Sequence, residues 1–121
     1  MKKFAAGVSH HEREVEELRD DREFAVAYLQ LAMESLDNPE ERGGGLLALR
    51  AVAEAYGGLG AVAAAAGISR ESLYRALSQK GNPTLKTLVA VVNAVGLRLT
   101  VTEEQKADAE QAKSVDDYAA A

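Results

Sequence analysis

Between about Asp20 and Val95, apolar residues recur at helical spacing through most of the chain. Phe24, Ala27, Tyr28, Leu31 and Ser35 form one stripe of a helix that runs to about Leu36, and Ala25, Leu29, Ala32 and Leu36 form its neighbour. A face this broad serves as core, and part of it suits a partner; the pattern alone does not separate the two. Asp20, Asp21 and Glu23 put negative charge at the start of this helix, where its dipole favours it. Asp37-Asn38-Pro39 ends it. Leu46, Leu49, Val52, Ala53 and Tyr56 predict a second helix, stopped by Gly57-Gly58. Gly43-Gly44-Gly45 reads as a flexible entry to it. These glycines are no phosphate loop, because neither a preceding strand nor a following Lys-Ser/Thr accompanies them.

Leu59 to Ser78, LGAVAAAAGISRESLYRALS, carries the strongest local signal. Leu59 to Ala66 is a helix of small residues and Arg70 to Leu77 a second short helix. Gly67 falls where a tight helix–helix turn needs positive φ, and Ser69 where a side-chain oxygen can cap the next helix. Ala63 permits close crossing, and Ile68 and Leu73 plug the angle between the helices. This is the pattern of a helix-turn-helix with Arg70 to Leu77 as recognition helix. With Leu73, Ala76 and Leu77 inward, the outward residues are Ser69, Arg70, Glu71, Ser72 and Arg75. Arg can read guanine with two parallel bonds, Glu can accept from cytosine N4, and Ser can bond a base edge or phosphate. Beyond them lies a Gly81/Asn82-Pro83 turn, with Thr84 as cap of a last helix lined by Leu85, Leu88, Val89, Val92 and Val95 and closed by Gly96. Lys80, Asn82 and Thr84 suit phosphate contacts that set orientation but carry no sequence information.

The ends read differently. Residues 1–19 are densely charged with few apolar positions, which predicts a flexible N-terminal segment, helical only on contact. His10-His11-Glu12 makes a poor metal site, since adjacent residues point to different sides of a helix. Leu97 to Val101 alternates apolar and polar, the pattern of a short strand. A lone strand leaves backbone groups unpaired, so it either pairs with a second copy, giving a homodimer, or drapes over the core; pairing is the favoured expectation. Residues 102–121 read as an acidic flexible tail, leaving 20–101 as the helix-turn-helix domain.

Charge sharpens this picture. The chain carries −5 overall, which by itself argues against nucleic acid. By segment, residues 1–39 hold 5 Lys/Arg and 9 Asp/Glu, residues 40–101 hold 7 and 4, and residues 102–121 hold 2 and 6. Within 57–98 Glu71 is the only acid, against Arg70, Arg75, Lys80, Lys86 and Arg98. Basic charge is thus gathered around the recognition helix, as expected of a face that meets phosphate. With no cysteine, disulfides and thiol chemistry are excluded. No secretory or membrane-spanning run is evident, so the expected compartment is the cytoplasm, with no membrane partner. The histidines lie outside the ordered pattern and no carboxylate pair shares a buried face, so no enzyme, metal or cofactor is expected.

GISRESLYRALSQKGNPTLKTLVAVVNAVGLRL, with EFAVAYLQLAMESL upstream, resembles the addiction-module antidote proteins, HigA-like antitoxins within the lambda-repressor-like helix-turn-helix superfamily. The resemblance covers about Glu23 to Val101. It implies a mainly α, lambda-repressor-like five-helix bundle with a helix-turn-helix and a short C-terminal strand. It also implies an antitoxin of a type II module that neutralises a RelE/HigB-like toxin and represses its own promoter by binding double-stranded DNA. The family's recognition positions correspond to Ser69, Arg70, Glu71, Ser72 and Arg75; its motif fixes no toxin-binding residues. Two other readings stay open: a stand-alone phage-like repressor, and a helical interaction module without DNA binding.

Overall fold

Every other helix is organised against, or one step away from, α3 (Arg42–Ala55) in the computed structural model, which describes residues 10–104. Before it come α1 (His10–Asp20), α2 (Arg22–Glu34) and a 3₁₀ turn (Ser35–Asp37); after it come α4 (Gly58–Ala66), α5 (Arg70–Ala76) and α6 (Leu85–Ala94). Leu46, Leu49 and Val52 of α3 are fully buried among Leu18 of α1, Leu29 of α2, Leu73 and Leu77 at α5, and Val91 and Val95 at α6. Each such side chain contributes roughly 1.5–3 kcal/mol of burial. α1 and α2 pack on α3, while α5 packs on α4, which also carries α6. Among the described residues, no single helix is long and apolar enough to cross a membrane.

Local chemistry sets the helix ends. Asp21 caps α2 by accepting from Phe24 N–H, and Thr84 caps α6 by accepting from Thr87 N–H. At the far end of α6, the Arg22 guanidinium donates to the Val95 carbonyl at 2.6 Å, tying the start of α2 to the close of α6.

Three expectations need correction. Residues 10–19 are not a loose segment: they lie in α1, held by the buried Val15 and Leu18. Tyr56 donates to the Leu18 carbonyl at 2.8 Å, and His11 Nε2 lies 2.7 Å from Glu54 Oε1 in a hydrogen bond. The helix therefore forms on tertiary partners more than 35 residues away in sequence, and the described residues form six helices where the resemblance implied five. Residues 1–9 and 105–121, and the flexibility expected of them, lie outside the described residues.

Gly43-Gly44-Gly45 is not a flexible entry either; all three lie inside α3. Gly45 is buried, and a Cβ there would run into Ser35 Oγ and approach the Ala32 carbonyl to 2.9 Å, so close packing of α3 on α2 overrides the low helix propensity. Gly44 faces open space. Gly44→Ala should therefore raise stability by up to about 1 kcal/mol, read as a higher urea midpoint. Gly45→Ala should lower it.

The third correction concerns 97–101, which forms no strand; the described residues contain none. Leu97 N–H turns back to the Val92 carbonyl at 3.2 Å. Leu97 and Leu99 are half-buried against the core, and Arg98 and Thr100 are exposed. The alternation marks a segment draped on the bundle, with no strand among the described residues to complete a ladder.

Candidate nucleic-acid interface

α4 ends in a left-handed residue, Gly67, at φ 74° and ψ 27°. Ile68 N–H donates to the Ala63 carbonyl at 3.0 Å and Gly67 N–H to Ala64 at 3.1 Å, closing the helix with the paired bonds of a glycine C-cap. The chain then extends through Ser69 (φ −76°, ψ 161°), whose Oγ accepts from Ser72 N–H at 3.0 Å and starts α5. Leu73 beneath is fully buried, and Ile68 is half-buried against the same core. A seven-residue helix is too short to persist on its own, so these anchors and caps hold α5 in place.

Of the five residues expected to read bases, the structure leaves four exposed, Ser69, Arg70, Glu71 and Arg75, and half-buries Ser72. Arg70, Glu71 and Arg75 are exposed, and Arg70 and Glu71 have no polar partner among the described residues. Ser69 and Ser72 are occupied with each other: the two hydroxyls lie 3.0 Å apart, and Arg75 Nη2 approaches Ser72 Oγ at 3.5 Å. Ser69 is first a cap, and Ser72 is half-buried.

The following loop splits the same way. Lys80 and Asn82 are exposed without partners among the described residues. Thr84 is exposed, but its hydroxyl caps α6 and lies 3.1 Å from the buried Thr87 hydroxyl. Gly81 N–H donates to the Ser78 carbonyl at 2.8 Å, which folds the loop back under the end of α5.

Two further basic residues join this surface. The Arg50 guanidinium of α3 stacks over the Tyr74 ring, 4.1 Å from its centroid, while its Nε is buried without a hydrogen-bond partner among the described residues. Arg50 and Tyr74 stand on different helices, and nothing in their sequence spacing announces the pair. Lys86 Nζ sits beside Gly67, about 3.1 Å from where a Cβ would stand. Lys86 had been legible only as part of the basic run. From residue 42 to 101 the chain carries 7 Lys/Arg against 2 Asp/Glu.

Fold and surface together define a small helical protein that presents a short, capped helix from a basic face. Residues 10–103 match the family model described as "Probable addiction module antidote protein", and the chain belongs to that family. A protein of Haemophilus influenzae described only as uncharacterized is 48% identical over 44 residues. That stretch is 36% of this chain and spans 45% of the relative's length. No solved structure matches.

Proposed function

We propose that this chain is the antitoxin of a type II toxin–antitoxin module, that it neutralises a RelE/HigB-like toxin, and that it represses its own operon through sequence-specific DNA binding. Membership of the antidote family supports the toxin half of this reading. The observation that carries the DNA half is α5: a helix capped by Ser69 behind a left-handed glycine, with Arg70, Glu71 and Arg75 outward. On this reading α4–α5 is a lambda-repressor-like helix-turn-helix, with α5 entering the major groove. Lys80, Asn82 and the Lys86 ammonium flank it where phosphates run. Two copies, with their α5 helices about 34 Å apart, read a palindromic operator as a homodimer. The protein works in the cytoplasm and performs no catalysis.

The test is a pair of charge removals on the same surface. Arg70→Ala should cost about 1–3 kcal/mol of binding to DNA from upstream of the operon and relax base choice. Lys80→Ala should weaken binding to every sequence alike and flatten the log–log salt slope by about one. Fluorescence anisotropy on operator and single-base variants reads both. Uniform weakening by Arg70→Ala would exclude it as a base reader. Growth rescue on co-expression with the product of the adjacent gene reads the toxin half.

A further inference from the structure

The acidic half of the molecule carries an apolar surface that the core does not use. The inner stripe of α2 is buried through Ala25, Leu29 and Ala32. The outer stripe is not: Leu31 is 66% and Phe24 38% exposed, and Ala27 is exposed between them. Tyr28 is held in this stripe by the Phe24 ring, 5.5 Å between centroids, and by its hydroxyl donating to Glu14. Beside Leu31 runs an open groove of about 510 Å³ between α2 and α3. Its floor is made of small residues, Gly44, Gly45 and Ala48, and its rim carries Glu34 and Glu41. Residues 10–41 hold 11 Asp/Glu against 3 Lys/Arg.

We propose that this face of α2, with the groove beside it, docks the module's toxin through a positively charged segment bearing an apolar side chain. The proposal rests on the antitoxin reading above and assigns the surface that serves it. Charge selects the occupant. A second copy would set two acidic rims against each other, and nucleic acid would be repelled by the same carboxylates. A basic protein segment is attracted by the rim, while its apolar side chain covers Leu31 and Phe24 over a floor that lets a backbone come close. The toxin and the operator then lie on different parts of one chain: α2 packs on α1 and α3, α5 on α4. Docking of the toxin therefore leaves the outward residues of α5 free.

The experiment titrates the purified product of the adjacent gene into the full-length protein by calorimetry at low and high salt. Leu31→Glu is the main variant, because an exposed side chain can change without unfolding the bundle. Circular dichroism and affinity for the upstream DNA check that it stays folded. Leu31→Glu should weaken the complex by roughly 30-fold, the effect of losing a central apolar anchor. The double variant Glu34→Gln/Glu41→Gln should make the affinity less dependent on salt. Wild-type affinity in Leu31→Glu would overturn the proposal while leaving the antitoxin reading standing. A self-association of the wild type that Leu31→Glu abolishes would also overturn it, by assigning the face to a second copy. If the wild type failed to bind that gene product at all, the antitoxin reading would fall and the docking face with it.

Discussion

Leu73→Ala should lower stability by about 3–5 kcal/mol, the cost of removing a fully buried leucine and leaving a cavity in its place. Leu73 is the one α5 residue that is fully buried, and it joins the core that also contains Leu77 and Val91. The loss should appear as a lower urea midpoint with little change in slope, because the surface exposed on unfolding is nearly the same. Leu85→Ala is the control. That side chain is 69% exposed at the start of α6, and its removal should change stability by no more than about 0.5 kcal/mol. Similar effects from the two substitutions would mean that α5 is not anchored as described. DNA affinity should fall in Leu73→Ala beyond its fraction unfolded, since a loosened α5 no longer holds Arg70 and Arg75 in one geometry.

Gly81→Ala should cost roughly 3 kcal/mol. A Cβ at Gly81 would overlap the Ala76 carbonyl and come within 2.6 Å of the Arg75 carbonyl oxygen. Both are backbone atoms at the end of α5, so no rotamer change relieves the contact. Either the loop lifts away or the last turn of α5 gives. The loop carries Lys80 and Asn82, so phosphate contacts should weaken together with stability. Thermal unfolding and anisotropy on the same sample read the two effects. Wild-type stability in Gly81→Ala would show that the loop does not close on α5.

What the sequence disclosed and what it concealed divide by the range of the interactions. The Gly67-Ile68-Ser69 turn was legible because a left-handed glycine and a capping hydroxyl act over three residues. The cap at Thr84 was legible for the same reason, whereas at Asp21 the sequence showed only favourable charge. α1 was not, because its helix rests on Val15 and Leu18 meeting a core built later in the chain, and on Tyr56 and Glu54 reaching back to it. The three glycines misled because propensity argued for a loop while the packing of Gly45 on Ala32 and Ser35 requires a helix without a side chain there. Both stripes of α2 were visible as apolar. Only the approach of α3 shows that Ala25, Leu29 and Ala32 turn inward while Phe24 and Leu31 stay outside. At the interface, outward Arg70, Glu71 and Arg75 followed from helical periodicity. The engagement of Ser72 with the Ser69 cap and the stacking of Arg50 on Tyr74 depend on side-chain contacts that periodicity does not encode.

The central claim is that α5 reads DNA sequence. Its most direct test is anisotropy of the full-length protein on the DNA immediately upstream of its own operon, against a scrambled fragment of equal length and composition, at two salt concentrations. Tighter binding to the upstream fragment at both salts, with the preference lost in Arg70→Ala, is the expected result. Equal binding to the two fragments, unchanged in Arg70→Ala, would contradict it.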